Sequence, residues 1–279
     1  MLFPVYLGKE FMKQLPFLLL LTILLACAKP QSQQSESIVV EQGDSLQISD
    51  ETADEGPQAN PATSRLAPAR MPEPEPIPIS ELEQKIIDQG LIKVREKIGD
   101  AIQDIKYSTP DNFLKQDVYG DFNECYLQPE VVDMLADAQA RIDVVHPRLK
   151  LLLYDCVRPR SVQFKMWEIV KGTDQQKYVA SPKSGSMHNF GAAVDLGLYH
   201  LDSGLVDMGT PFDFFGNQAQ PRYEAQFVAS GELTQAQVDN RLILRRAMRE
   251  AGFHMINSEW WHFNAFDRKT VRAKYQIVE

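Results

Sequence analysis

Residues 186–199 read Ser-Met-His-Asn-Phe-Gly-Ala-Ala-Val-Asp-Leu-Gly-Leu-Tyr, and their second half has the pattern of a buried strand. Residues 192–199 are small or apolar apart from Asp195, which predicts a β-strand. The turn sequence Asp202-Ser203-Gly204 follows and predicts a hairpin whose return strand begins at residue 205. The stretch therefore indicates an antiparallel sheet that carries a carboxylate inside one of its strands.

Helix and strand patterns alternate around this stretch. Ser80-Glu81-Leu82-Glu83 predicts a capped helix that ends at Gly90, and Pro129 predicts the first turn of a second helix. Further strands are predicted over residues 149–154 and 260–263. The last three predicted helices place apolar residues on one face: Val131, Leu135, Ala138 and Ile142; Val162, Met166 and Ile169; Leu244, Met248 and Ala251. The mixture predicts an α+β fold with helices packed against a small antiparallel sheet.

Two histidines and an aspartate form a candidate metal site on that sheet. His188 lies seven residues before Asp195, and His262 lies in the apolar stretch of residues 260–263. Two neutral imidazoles and one carboxylate suit zinc and leave a fourth coordination position for water. Glu259 lies three residues before His262 and could take a proton from that water without being a ligand.

Burial gives a physical reason for a metal ion at this position. Asp195 and His262 each have an apolar residue on both sides. Burying either group without a partner would cost several kcal/mol, so a shared metal ion would explain both. A buried hydrogen bond between a histidine and an aspartate is the alternative.

Five sequence motifs occur in order between residues 105 and 262. They are Ile105-Lys106-Tyr107 with Asp111-Asn112-Phe113, Tyr154-Asp155-Cys156-Val157-Arg158-Pro159, residues 186–195, Met208-Gly209-Thr210-Pro211-Phe212-Asp213-Phe214, and Glu259-Trp260-Trp261-His262. In this order they resemble the motifs of the D-alanyl-D-alanine dipeptidase (VanX-like) family of zinc metallopeptidases.

The resemblance implies one zinc ion per chain, with His188, Asp195 and His262 as its ligands. It implies that Glu259 is the general base that later protonates the leaving amine. It also implies that Arg158 stabilises the tetrahedral intermediate, a role that suits a guanidinium because it keeps its charge and donates planar hydrogen bonds. Apart from the resemblance, Arg158 would be interpreted as one half of a structural ion pair.

The same resemblance implies a substrate pocket and an activity. Asp213 matches an aspartate that receives the free ammonium group of the substrate, and Ser186 and Tyr107 match further pocket positions. The implied reaction is hydrolysis of D-alanyl-D-alanine to two D-alanines in cell-wall peptide metabolism. One alternative is a D,D- or L,D-carboxypeptidase or endopeptidase that trims peptidoglycan stem peptides. Another is a zinc-stabilised binding module without activity.

Cys156 stands where the resembled arginine motif often has glycine or alanine. In an oxidising periplasm, Cys156 could form a disulfide with Cys125. The sequence gives no distance between them, and two buried thiols that pack as small apolar side chains are the alternative.

Residues 1–27 have the pattern of a signal peptide. The apolar run over residues 15–28 follows Lys13 and is shorter than the roughly 20 residues that a membrane-spanning helix needs. It ends in Leu24-Leu25-Ala26-Cys27, which resembles a bacterial lipobox and would make Cys27 the lipidated first residue of the mature protein. A plain secretory signal is the alternative, and Met12 is an alternative initiator to Met1.

Residues 28–79 predict a disordered tether, because they contain eight prolines, nine acidic residues and no aromatic residue. Residues 80–279 predict one folded domain, the zinc peptidase. The net charge of −9 argues against nucleic acid as a partner. We therefore expect a periplasm-facing lipoprotein of the bacterial cell envelope. Its expected partners are the membrane, through a lipid anchor, and D-Ala-D-Ala or a peptidoglycan-derived peptide.

Overall fold

The structure, a computed structural model, describes residues 79–279. The predicted signal peptide with Cys27 lies outside the described residues, as does all of the predicted tether except its last residue. Among residues 79–279, no helix combines the length and the apolar character that crossing a membrane would require.

The described residues contain six helices and eight strands. The helices are α1 (Glu81–Asp88), α2 (Pro129–Val145), α3 (Arg160–Val170), α4 (Glu224–Ser230), α5 (Gln235–Glu250) and α6 (Arg268–Lys274). The strands are β1 (Ile92–Lys93), β2 (Ile102–Gln103), β3 (Tyr126–Leu127), β4 (Leu149–Asp155), β5 (Ala193–His200), β6 (Gly204–Leu205), β7 (His254–Met255) and β8 (His262–Asn264).

Strands β4 and β5 form the centre of a six-stranded sheet with the order β2-β4-β5-β8-β7, and β6 pairs with β5 as the predicted hairpin. The β4–β5, β5–β8 and β7–β8 pairs are antiparallel, but β2 and β4 are parallel. The mixture of helices and strands is confirmed, whereas the prediction of a small antiparallel sheet is wrong. Strand β2 has only two residues and therefore no detectable periodicity, and α2 lies in the connection that a parallel pair requires.

The predicted helical faces cover this sheet. Helix α2 begins at Pro129, and its predicted apolar positions are all buried, from Val131 to Ile142. It packs between β4 and α5. Helix α1 begins after Ser80, whose hydroxyl accepts the backbone N–H of Glu83 at 3.1 Å. The sequence pattern therefore predicts which side of each helix faces the core.

The register of the central strands brings three ionisable side chains into one row. Asp195 on β5 lies opposite Asp155 on β4 and opposite His262 on β8. Directly opposite residues in an antiparallel pair have Cβ atoms about 4.5–5.5 Å apart. Charged groups therefore lie side by side on the three central strands of the sheet, and this row is the candidate functional site.

Candidate active site and metal centre

The three predicted metal ligands lie together, Asp195 on β5, His262 on β8 and His188 in the turn that precedes β5. Each offers one ligand atom, and the three atoms lie within 4.8 Å of one another. Asp195 Oδ1 is 2.8 Å from His262 Nδ1 and 3.4 Å from His188 Nε2. Two imidazoles and one carboxylate at these distances could hold a divalent metal ion.

A tight turn presents His188 to this group. The turn, Met187–Phe190, begins after Ser186, whose hydroxyl accepts the backbone N–H of His188 at 3.3 Å. Gly191 ends the turn in the left-handed region at φ +63°, where a side chain would also place its Cβ 2.6 Å from Leu91. The turn therefore requires glycine at residue 191, two residues before the strand that carries Asp195.

Hydrogen bonds to the other nitrogen of each imidazole orient the two histidines. His188 Nδ1 donates to the backbone carbonyl of Cys156 at 2.7 Å, and His262 Nε2 lies 3.0 Å from the side-chain oxygen of Asn264. Such contacts fix the tautomer of a metal-binding histidine. The nitrogens that remain, His188 Nε2 and His262 Nδ1, are 3.2 Å apart and point at the same place.

The charges in this group are mutually stabilised. Burial opposes ionisation of Asp195, but the neighbouring His188 and His262 hold its pKa below the usual range of an aspartate. Burial likewise disfavours a charged His262, but the hydrogen bond to Asp195 raises the pKa of His262 to about 9. Asp195 is therefore an ionised ligand that suits a cation.

Arg158 is held beside the metal group by a buried carboxylate. Its guanidinium donates to Asp155, with Nε 3.1 Å from Oδ2, and lies 5.1 Å from the ring of Tyr107. Asp155 is completely buried and also accepts the hydroxyl of Tyr119. Arg158 thus forms the ion pair that sequence alone suggests, and it also lines the pocket described below.

Sequence reasoning missed Asp155, although a signal for it was present. Asp155 ends the strand Leu149–Asp155, in which residues 151–154 are all apolar. An acid within an apolar strand is the same signal that identified Asp195. The signal could have predicted a second buried charge, and the nearby Arg158 would have supplied its partner.

Asp213 lies at another wall of the site, in contact with Tyr107. The hydroxyl of Tyr107 is 3.2 and 3.1 Å from the two carboxylate oxygens of Asp213. Burial, and then the charge of Asp195, raise the pKa of Asp213 well above its usual value. Burial also raises the pKa of Tyr107. A carboxylate in such surroundings gains from a cation placed against it.

All eight predicted site residues of the described chain line one pocket of about 160 Å³. They are Tyr107, Arg158, Ser186, His188, Asp195, Asp213, Glu259 and His262. Burial raises the pKa of Glu259. Because pockets for drug-sized ligands have volumes of about 300–1,000 Å³, this pocket suits a much smaller molecule.

A disulfide joins the residue before β3 to the residue after β4. Cys125 and Cys156 are bonded, with their Cα atoms 5.4 Å apart and a sequence separation of 31. Of the two alternatives that the sequence leaves open, the structure contains the disulfide. Because the carbonyl of Cys156 accepts the hydrogen bond from His188, the disulfide adjoins the metal group directly.

Comparison with protein families identifies the class of this protein. The Peptidase_M15 family, described as D-ala-D-ala dipeptidase, matches residues 88–278, a range that includes every residue of the pocket. This match makes the protein a metallopeptidase, in agreement with the group of metal-binding side chains in the pocket.

Individual relatives carry the same description. The D-alanyl-D-alanine dipeptidase of Enterococcus faecalis is 32% identical over 200 residues, which cover 65% of this chain and 94% of the relative. The D-alanyl-D-alanine dipeptidase of Escherichia coli is 30% identical over 160 residues, which cover 57% of this chain and 76% of the relative. The chain therefore belongs to the D-Ala-D-Ala dipeptidase family of metallopeptidases.

Reduction of the Cys125–Cys156 disulfide is expected to destabilise the protein and weaken its hold on a metal ion. A closed loop of this length, with a sequence separation of 31, contributes about 3–4 kcal/mol to the free energy of unfolding. Loss of an oriented contact to a ligand histidine weakens metal binding by about 10–100-fold. Urea unfolding and competition with a chelator, each with and without a reductant, measure the two effects.

The double variant Cys125→Ala/Cys156→Ala is the control, because a reductant should change neither its stability nor its metal affinity. An equal metal affinity of oxidised and reduced wild-type protein would contradict the orienting role of the disulfide.

Proposed function

We propose that the protein is a zinc-dependent dipeptidase that hydrolyses D-alanyl-D-alanine to two D-alanines in cell-wall peptide metabolism. The observation that carries the proposal is the small pocket that contains both the metal group and Asp213. Its volume of about 160 Å³ suits a dipeptide of two small residues. The names of the relatives from two organisms support the same substrate.

Zinc is the metal that we assign to His188, Asp195 and His262, at one ion per chain. The donor set is two neutral nitrogens and one carboxylate oxygen, and each imidazole has its second nitrogen engaged elsewhere. Zinc would polarise the peptide carbonyl of the substrate as a Lewis acid and make a water molecule more acidic. Three protein ligands would leave one coordination position open for this chemistry.

Glu259 is the proton carrier of the proposed reaction. It accepts a proton from the attacking water and returns it to the nitrogen of the leaving alanine. Burial raises the pKa of Glu259 above that of an exposed glutamate. A carboxylate tuned in this way can both accept and donate a proton.

Arg158 stabilises the negative charge that develops on the carbonyl oxygen as water attacks. The guanidinium remains charged and is held rigidly by Asp155, so it needs no rearrangement when that charge appears. Asp155 also receives the hydroxyl of Tyr119, which helps to fix the carboxylate itself. Asp155 is therefore a positioning residue for Arg158.

Asp213 receives the ammonium group of the substrate, and Tyr107 holds the carboxylate in place. A buried Asp213 carboxylate requires a partner of opposite charge, and in an alanine dipeptide only the free amino terminus supplies one. Ser186 accepts the N–H of His188 and keeps its own hydroxyl hydrogen for the substrate. These contacts make the pocket selective for a dipeptide.

Glu259→Gln should greatly reduce cleavage of D-Ala-D-Ala while the protein keeps its zinc. The amide cannot accept the proton, so kcat/KM is expected to fall by about 10²–10⁴-fold. Metal analysis and an assay of the full chain with D-Ala-D-Ala, L-Ala-L-Ala and a stem pentapeptide test this. Glu168→Gln, at an exposed glutamate that pairs with Lys171, is the control.

Cleavage of the D,D-dipeptide alone, lost in Glu259→Gln, would support the proposal. Cleavage of the pentapeptide alone would contradict it. Zinc binding without cleavage of any of these peptides would favour a binding module.

A second candidate function is that of a carboxypeptidase or endopeptidase that trims peptidoglycan stem peptides. The observation that favours it is a larger cavity of about 430 Å³, which shares Phe113 and Asp213 with the catalytic pocket. A longer peptide could extend into this cavity if Asp213 did not bind an amino terminus.

Asp213→Asn distinguishes the two functions. For a dipeptidase, loss of the charge should raise the KM for D-Ala-D-Ala by roughly 10-fold or more, because a charge-assisted hydrogen bond is lost. Cleavage of N-acetyl-D-Ala-D-Ala should change much less. Asp137→Asn, at an exposed acid that pairs with Arg141, is the control. Equal effects on both substrates would contradict ammonium recognition.

We also propose that residues 1–27 are a lipoprotein signal and that Cys27 is lipidated, so that the enzyme faces the periplasm from a membrane anchor. The support is the Leu24-Leu25-Ala26-Cys27 sequence and the Pro-rich, acidic residues 28–79 that follow it. A lipid at Cys27 would keep the enzyme at the membrane while the tether gave the catalytic domain reach.

Cys27→Ala should prevent incorporation of labelled palmitate and move the protein from the membrane fraction to the soluble fraction. A single acyl chain binds membranes only marginally, so complete anchoring also depends on the further acyl chains of a bacterial lipoprotein. Membrane association that survives Cys27→Ala would contradict the anchor.

A further inference from the structure

The segment that carries Asp213 has little regular structure of its own. Residues 206–216 form neither helix nor strand, and two short turns, Asn217–Ala219 and Pro221–Tyr223, follow them. Asp213 also has a backbone φ of +60°, in the left-handed region that residues other than glycine seldom occupy. Contacts from outside the segment must therefore hold Asp213 where it is.

Arg241 supplies two of these contacts from helix α5. Its side chain is almost completely buried, with 1% exposed, and its guanidinium donates in two directions. Nε donates to the carbonyl of Met208 at 2.7 Å, and Nη1 donates to the carbonyl of Gln218 at 2.9 Å. Both carbonyls lie five residues from Asp213, so one guanidinium joins the two ends of the segment.

The same guanidinium also contacts the residue beside Glu259. Its central carbon lies 5.8 Å from the ring of Trp260, within the range of a cation–π interaction. The indole N–H of Trp260 donates to the hydroxyl of Thr210 at 2.8 Å, which fixes the segment at a third point. Arg241 and Trp260 therefore hold the segment between α5 and the strand that contains His262.

Burial of this arginine is costly, and the fold compensates only in part. The carboxylate of Glu224 lies 3.4 Å from Arg241 Nη1, while Arg245 donates to the same carboxylate at 2.7 and 2.9 Å. A buried ion pair can often be replaced by apolar residues without loss of stability. An apolar residue could not reproduce the two hydrogen bonds that the guanidinium donates, one to each end of the segment.

We propose that Arg241 is a positioning residue for substrate recognition. It joins the ends of residues 208–218 and so places the Asp213 carboxylate at the distance from the metal group that the amino terminus of a dipeptide requires. This inference rests on the proposed role of Asp213 as the ammonium receptor. It assigns part of the dipeptide specificity to a residue outside the catalytic pocket.

The variant Arg241→Lys tests the proposal in the full-length protein loaded with zinc. Lysine keeps the charge but cannot donate to both carbonyls in a fixed fork. The KM for D-Ala-D-Ala should rise roughly tenfold, while kcat changes by less than about threefold, because substrate binding is affected and the reacting groups are not. Amide hydrogen exchange should accelerate within residues 208–218, a readout that is independent of activity.

Arg245→Lys is the matched control, because it makes the same change one helical turn away at a residue that also pairs with Glu224. It should lower the melting temperature to some extent and leave KM unchanged. A rise in KM in Arg245→Lys as large as that in Arg241→Lys would overturn the positioning role, because KM would then follow the loss of stability.

Asp213→Asn, measured beside them, separates this inference from the proposed function. If Asp213→Asn raises KM and Arg241→Lys does not, the inference fails and the ammonium role of Asp213 stands. If Asp213→Asn leaves KM unchanged, the ammonium role fails and the inference fails with it. A rise in KM in both, with faster exchange in Arg241→Lys, supports the inference.

Discussion

The hydrogen bonding of β5 between β4 and β8 determines where Asp155, Asp195 and His262 stand. Asp195 lies opposite Asp155 on one side and opposite His262 on the other. A shift of one residue in either pairing would turn these side chains to the opposite face of the sheet. The apolar residues of β4 and β5 are buried and fix the register, so core packing and site geometry are one constraint.

Buried charges at this row are arranged in pairs of opposite sign. Asp155 pairs with Arg158, and Asp195 lies between two imidazoles and would share their metal ion. Each charge would be costly alone, yet each has a partner within reach. Asp213 is different, since the groups that hydrogen-bond to it, the hydroxyl of Tyr107 and the backbone of Phe113, are both neutral. This difference is what leaves Asp213 ready for a cation from the substrate.

The sequence predicted the parts of this arrangement that depend on local pattern. The apolar runs of β4 and β5, the Asp202-Ser203-Gly204 turn and the buried faces of α2 and α5 all follow from periodicity. The residues of the catalytic pocket followed from motifs that resemble a known family. The parallel pairing of β2 could not be predicted, because two residues show no period and direction depends on distant contacts.

Arg241 shows the same limit for a side chain. In the sequence it lies three residues before Leu244 and seven before Met248, so helical periodicity places it on the apolar face, unlike the exposed Arg246, but no local pattern shows what its guanidinium contacts. Its partners are backbone carbonyls 33 and 23 residues away, which only the folded chain brings near. Because every residue carries a backbone carbonyl, the residue types of the partner segment do not reveal these hydrogen bonds.

The disulfide also determines how the domain would respond to mechanical force. Because Cys125 and Cys156 are bonded, tension applied to the ends of the chain passes from one sulfur to the other and bypasses α2 entirely. The 31-residue separation withholds about 100 Å of extensible length, at roughly 3.3–3.6 Å per residue. Under load, α2 and β4 would both remain in the bypassed loop, and the load would re-enter the chain at Cys156, two residues before Arg158.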